Sequence, residues 1–210
     1  MDSQQKAAAV IVAAGKSQRM RGVDKVLAPL EGKPVLALVI DVFQRCASIQ
    51  QIVVVLSEQN LETCRQLVAE QGWSKVSVCP GGNRRQDSVL AGLKQLQECD
   101  WVVIHDGARP LVTEDLIEQG LEMARETGAA AAAVPVIDTI KVTGDDRFVR
   151  ETPPRGNLWA VQTPQVFRFD IIAEAYSQIK DEVTDDATLV ERLNHKVKLY
   201  IGSYDNIKVT

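Results

Sequence analysis

No run in this sequence is long enough to span a membrane, and no excess of positive charge points to nucleic acid. The 24 Lys and Arg residues stand against 28 Asp and Glu, a net charge of −4. Histidine is scarce, with only His105 and His195, and Cys46, Cys64, Cys79 and Cys99 are scattered singly without a C-x-x-C pair. The usual zinc motifs are thereby excluded, and separated thiols point to a reducing cytosol. A P-loop is missing, because Val10 stands where Gly15-Lys16-Ser17 would require a glycine. The dinucleotide pattern G-x-G-x-x-G is missing too, since Gly15 has no glycine partners nearby. Neither histidine is arranged with a Ser or Cys as a base–nucleophile pair, and no internal repeat or low-complexity segment occurs. Lys6 to Gly15 imitates a signal peptide, but the apolar run is short and Lys16 and Arg19 follow at once, so it reads as a core strand.

What is present centres on Ala8 to Lys25. A β-branched run, Val10, Ile11 and Val12, stops at Ala13-Ala14-Gly15, and a loop with Lys16, Ser17, Arg19, Arg21 and Lys25 follows. Such a strand delivers small residues and cations to its carboxyl end. Small side chains let backbone N–H groups approach a phosphate, and Lys and Arg supply counter-charge. The loop is a candidate triphosphate cradle; the alternative is an ordinary turn with solvated charges.

Strand and helix signals then alternate. Pro34 is placed to start a helix carrying Val35, Leu38, Val39, Val42 and Phe43. Strands are predicted at 51–57, 75–79, 101–105, 129–136 and 197–201, and helices at 61–70, through Val89, Leu93 and Leu96, at 113–127 with a stop at Gly128, at 170–179 and at 185–194. This alternation predicts an α/β fold with a mostly parallel sheet wound on both faces, in one domain spanning 1–210. The pattern breaks over 137–160, where Ile140, Val142 and Phe148 alternate loosely around a turn at Gly144. That segment predicts a β-hairpin arm whose core is too thin to stand alone, and a partner subunit is the economical thing for it to pack on.

In an open parallel sheet, ligands sit beyond the carboxyl ends of the strands. Loops 13–25, 80–88 and 106–110 leave those ends rich in glycine and cations, and convergence on one polyanion is the simplest account. Asp106 is placed to hold a divalent cation, or else to cap a helix or pair with Arg109. His105 is expected to make an internal hydrogen bond. Asp87 and Ser88 open the helix after the second loop, and capping accounts for one of them. The missing nucleophile is informative: a phosphate monoester has a second pKa of about 6 and needs no general base to attack. Catalysis then reduces to positioning and charge neutralisation.

The segments AAGKSQRMRGVDK, GGNRRQDSV, HDGARP, VIDTIK, VQTPQ, VTDDA and DNIKVT occur in that order along essentially the whole chain. Together they resemble the 2-C-methyl-D-erythritol 4-phosphate cytidylyltransferases of non-mevalonate isoprenoid synthesis. The resemblance implies a Rossmann-like fold of the nucleotide-diphospho-sugar transferase type and a cytoplasmic enzyme. The implied reaction joins CTP and methylerythritol phosphate to give CDP-methylerythritol and pyrophosphate. It implies that Arg19 and Lys25 stabilise the reacting phosphorus, and that Ala13, Ala14, Gly15, Lys16 and Ser17 line the triphosphate. Gly81, Gly82, Asn83 and Ser88 would face cytosine and ribose. Asp106 would hold Mg²⁺, and Arg155 and Lys208 would position the acceptor, with Arg109, Thr139 and Thr163 touching it. The arm would interlock a homodimer, so that Thr139 and Arg155 serve the partner's site.

This sequence departs from the family's pattern in a loop one residue shorter between Arg19 and Lys25, in Asn83 where several members have Asp, and in stopping at Thr210 where members usually continue into a helix. Lys208 is therefore expected to be loosely held. Pentitol-phosphate cytidylyltransferases share the fold, but tend to carry a glycine pair at Ala14-Gly15 and a bulkier residue at Ala108. A non-catalytic nucleotide sensor would have no use for Arg19, Lys25, Arg155 and Lys208 together.

Overall fold

A computed structural model describes residues 5–15, 24–179 and 181–210. Its elements run β1 Ala7–Ala13, β2 Pro29–Leu30, β3 Lys33–Pro34, α1 Val35–Arg45, β4 Ile49–Leu56, α2 Leu61–Gln71, β5 Val76–Pro80, α3 Arg85–Leu93, β6 Trp101–Asp106, α4 Glu114–Thr127, β7 Ala129–Pro135, β8 Val142–Thr143, β9 Val149–Glu151, β10 Trp159–Arg168, α5 Phe169–Gln178, α6 Asp186–Arg192 and β11 Lys198–Ile201. The central sheet has seven strands in the order β11-β7-β10-β6-β1-β4-β5. β1 pairs in parallel with β4 and β6, β4 with β5, and β11 with β7.

Alternation along β1 shows why two layers of helix are needed. Ala7, Ala9, Ile11 and Ala13 point into one apolar cluster, with Leu36, Ile40 and Phe43 of α1 and Ile117 and Leu121 of α4. Val10 points into the other, with Val89 of α3, Ile171 and Ile172 of α5, and Leu189 of α6. A strand buried on both faces reads as a continuous apolar run, because period-two alternation no longer separates core from solvent. The ends of α4 follow the sequence signals: the Thr113 side chain accepts from Leu116 N–H at 3.2 Å, and Gly128 closes the helix at φ +83°.

The sheet is mostly parallel, as expected, with β10 running antiparallel between β6 and β7. One expectation is corrected. Trp159 and Ala160, which the sequence pattern places in the arm, are the first residues of β10 and face Pro135 and Val134. The hairpin itself is present, β8 pairing with β9 around Gly144, and its apolar side chains are bare: Ile137 is 63% exposed and Phe148 76%. Among the described residues no helix is long and apolar enough to cross a membrane.

Candidate active site

The carboxyl ends of β1, β5 and β6 open into a cleft of about 410 Å³. β1 runs out into Ala13, Ala14 and Gly15, which form a wall of small residues, and the chain returns to the cleft at Lys25 and Val26. That return is anchored. Asp24 Oδ1 accepts from Val26 N–H at 3.1 Å, Oδ2 accepts from the buried Asn60 amide, and Val26 O accepts from Leu36 N–H at 2.8 Å. Lys25 is therefore presented to the cleft by a turn tied to α1 and to the start of α2. Lys16, Ser17 and Arg19 lie outside the described residues.

The loop between β5 and α3 contributes Gly82, Asn83, Arg84, Arg85 and Ser88. Asp87 does the capping, accepting from Arg84 N–H at 3.2 Å, while Ser88 Oγ accepts from Gly82 N–H at 3.1 Å and donates to Arg84 O at 3.2 Å. Gly81 N–H is spent on Leu56 O at 2.8 Å. The amides of both glycines are thus committed internally, and at Gly82 a Cβ would lie 2.4 Å from Asp87 Cβ, so the glycine lets the loop close on the start of α3. Gly81 differs from its assigned place facing the nucleotide. It sits behind the wall, where a Cβ would lie 2.4 Å from Ala14 Cβ and 2.7 Å from Ser88 Oγ. The glycine allows the ends of β1 and β5 to approach.

At the end of β6, Asp106 gathers the cations. Lys208 Nζ donates to its Oδ2 at 2.7 Å, Arg85 Nε to its Oδ1 at 3.3 Å, and Arg109 Nε lies 3.7 Å from Oδ2. Burial opposes ionisation of this carboxyl, but the charges of Arg85 and Lys208 outweigh it and hold Asp106 well below the usual carboxylate range. Lys208 is firmly seated, contrary to expectation: Val209 N–H donates to Ala108 O at 2.8 Å, and the buried Asn206 amide donates to Thr163 O at 2.8 Å.

Thr163 and Arg109 do not line the cleft; they brace it from behind. Thr163 is 4% exposed, and its hydroxyl takes Asp106 N–H at 3.0 Å and meets His105 Nδ1 at 3.1 Å. His105 Nε2 lies 3.2 Å from Arg109 O. With Thr163 Oγ1 accepting an amide, its proton goes to Nδ1, so Nε2 carries the imidazole proton and donates it to that carbonyl. Burial holds His105 down at about 4, in the neutral form this chain requires. Arg109 Nη1 donates to Asn206 O at 2.6 Å. Thr139 and Arg155 lie on the exposed arm, where Arg155 Nη1 donates to Ile137 O at 2.5 Å, and neither lines this chain's own cleft.

The residue the motifs did not single out is Arg85. It lines the cleft and bridges Asp106 to Asp186, whose Oδ2 lies 2.8 Å from Nη1. The pairing of Arg84 with Arg85 beside a glycine pair was the available signal. Among the described residues no group of three His, Cys, Asp or Glu is placed to hold a metal ion, and Asp106 is the one carboxylate lining the cleft. A divalent cation fits only with Asp106 as a single protein ligand, the remaining donors being phosphate oxygens and water, the habit of Mg²⁺ at nucleotide sites.

A larger cavity of about 760 Å³ opens at the amino ends of β1 and β6, lined by Ala7, Trp101, Asp115, Glu118, Glu122 and Arg125 among others. Its acidic lining has the wrong sign for a polyanion.

The family model described as 2-C-methyl-D-erythritol 4-phosphate cytidylyltransferase matches residues 7–210. A curated protein of that name from Dehalococcoides mccartyi is 52% identical over 207 residues, 98% of this chain and 91% of the relative. One from Alkaliphilus oremlandii is 48% identical over 217 residues, covering 100% and 92%. The crystal structure of 4-diphosphocytidyl-2C-methyl-D-erythritol synthase from Anaerococcus prevotii superposes with a TM-score of 0.88 at 29% identity, over 98% of this chain and 93% of that one. The cytidylyltransferase of Thermus thermophilus gives 0.79 at 28% identity, over 96% and 91%.

Proposed function

The chain belongs to the 2-C-methyl-D-erythritol 4-phosphate cytidylyltransferase family, and on that footing we infer how the cleft works as a CTP-dependent cytidylyltransferase of isoprenoid synthesis. An oxygen of the methylerythritol phosphate attacks the α-phosphorus of CTP as the bond to the β-phosphate oxygen breaks. CDP-methylerythritol forms and pyrophosphate leaves. The acceptor dianion supplies its own electron pair, so no proton has to be removed. The protein's work is to align the two phosphates and to neutralise charge that grows in the transition state.

The observation that carries this reading is the cation set around a small-residue wall: Lys25, Arg85 and Lys208 border the same cleft as Ala13, Ala14 and Gly15. Lys25, together with Arg19, is assigned to the charge on the reacting phosphorus and leaving group. The wall, with Lys16 and Ser17, holds the triphosphate. Gly82, Asn83 and Ser88 frame the cytidine. Lys208, anchored on Asp106, faces the acceptor phosphate. Mg²⁺ is the cation proposed; with Asp106 as its protein ligand it would neutralise phosphate charge. Thr139 and Arg155 reach no part of their own cleft, which supports a homodimer in which the 137–160 arm brings them to the neighbour's. The bare apolar residues of the arm would then be covered. A cytoplasmic location goes with this reading.

The test is pyrophosphate release with methylerythritol phosphate or ribitol 5-phosphate, each with CTP or UTP and Mg²⁺. Release is expected only from CTP with methylerythritol phosphate. Equal turnover of ribitol 5-phosphate overturns the acceptor assignment.

A further inference from the structure

The motif VTDDA takes no part in the roles assigned above, yet its second acid is among the most deeply placed charges in the protein. Asp186 is 0% exposed at the first turn of α6. The preceding Asp185 already does the capping, accepting from Thr188 N–H at 3.1 Å. Asp186 is therefore not needed to start the helix. It is also a poor choice for filling a core. An ion pair in low dielectric costs much of what it returns, and an apolar side chain would pack at least as well.

Its contacts lead to the cleft. Tyr176 donates its hydroxyl to Asp186 Oδ1 at 2.5 Å, and Oδ2 lies 2.8 Å from Arg85 Nη1. The second contact is an ion pair between the guanidinium and the carboxylate. The other edge of the same guanidinium reaches Asp106 Oδ1 at 3.3 Å, on the far oxygen from Lys208. The start of α6 is itself fixed to β10, with Gln165 donating to Asp185 Oδ2 at 2.8 Å and accepting from Ala187 N–H at 3.0 Å. A planar fork held between two carboxylates has few orientations left. We propose that Asp186 is a positioning residue for the transfer reaction: it clamps Arg85 from behind, and Arg85 in turn fixes the Asp106 carboxylate that holds Lys208 toward the acceptor.

This rests on the cytidylyltransferase reading. It requires Asp186 to act through Arg85 rather than by holding α6 together, and a double-mutant cycle separates the two. Asp186→Asn keeps the volume and the bond from Tyr176 and removes the charge. Its kcat is expected to fall about tenfold or more, with KM for CTP within about threefold of the wild type, because alignment rather than nucleotide binding is lost. In an Arg85→Gln background the same change is expected to cost nothing further, since coupled residues are not additive. Losses that multiply overturn the proposal, as does an Asp186→Asn enzyme with wild-type kcat. Should Asp186→Asn not fold, Arg85→Lys decides. It keeps a charge at the cleft but cannot hold both carboxylates, and wild-type turnover there overturns the clamp.

A readout independent of turnover is the side-chain Nε–H signal of Arg85 in nitrogen-15 NMR, assigned by its loss in Arg85→Gln. Slow exchange with solvent is expected in the wild type and fast exchange in Asp186→Asn. Fast exchange in the wild type overturns the clamp. If the wild type releases no pyrophosphate, it is the cytidylyltransferase reading that fails, and the exchange of this signal still decides the clamp.

Discussion

The two ends of the sheet differ in a way that volume alone misrepresents. The amino end has the larger cavity, about 760 Å³, but Asp115, Glu118 and Glu122 border it and Glu118 is spent on Cys46 Sγ and Ser48 Oγ. The carboxyl end has about 410 Å³, yet Lys25, Arg85 and Lys208 meet there around small residues. Both cavities are open hollows at the ends of the strands. What separates them is the sign of the charge and the direction of the strands. Parallel strands leave all their loops of one kind at one end, so residues far apart in sequence collect there. Size identifies a place where something fits; the sign and convergence of fixed charges decide what.

Breaking the carboxyl end should cost most. Lys25→Ala is expected to lower kcat by two to three orders of magnitude, about 3 kcal/mol, while the protein still binds CTP. Steady-state pyrophosphate release and calorimetric CTP titration check both halves. Retention of activity within tenfold would remove Lys25 from the reacting charge.

Acid should weaken the same end next. His105 is held at about 4 when folded, against 6.5 when free. Between those values the unfolded chain binds the extra proton, so stability is whole above pH 6.5 and is lost as pH falls toward 4. The loss is on the order of 3 kcal/mol. Asp106, with a folded pKa below its ordinary value, loses its own contribution only at more acid pH. Thermal midpoints measured from pH 7 to 4 should fall, and the slope should flatten in His105→Asn. An equally steep slope in that variant would place the titrating group elsewhere.

Mixing tests whether the carboxyl end is completed by another chain. Lys25→Ala and Arg155→Ala proteins, each nearly inactive, should together recover about a quarter of wild-type activity. Half of the dimers would be mixed, and each mixed dimer would hold one intact site. No recovery after subunit exchange would mean that Arg155 serves its own chain.

The amino end should respond least. Glu122→Gln is expected to leave kcat and KM within about twofold and stability within about 0.5 kcal/mol, as for surface changes generally. A larger effect on turnover would mean that the two ends communicate.

Much of the fold was legible, and the exceptions are specific. Apolar runs such as QIVVVL and WVVIH mark strands buried on both faces, and Thr113 and Gly128 mark the ends of α4. β10 was not legible as a central strand. Pro164 lies inside it, and proline normally argues against such a place. The register between β10 and β7 shifts between Val161 and Gln165, so the missing N–H falls at a break in the ladder. The glycine and cation loops could be read as converging, but their division of labour could not. Arg109 and Thr163 look as chemical as Lys208 in sequence, yet they brace Asp106 from behind.

By itself, then, the sequence determined that strands and helices alternate, that small and cationic loops leave the strand ends, and that the motifs are those of a cytidylyltransferase. Periodicity and local spacing carry that information, because each signal is contained within a few residues of its own element. The tertiary structure alone decided which cations face the cleft. Lys208 meets Asp106 across 102 positions, and Arg85 finds Asp186 on the opposite side of the chain's long return through the arm and β10. The direction of a charged side chain is set by the partner it meets, and no local pattern records a partner that only folding brings near.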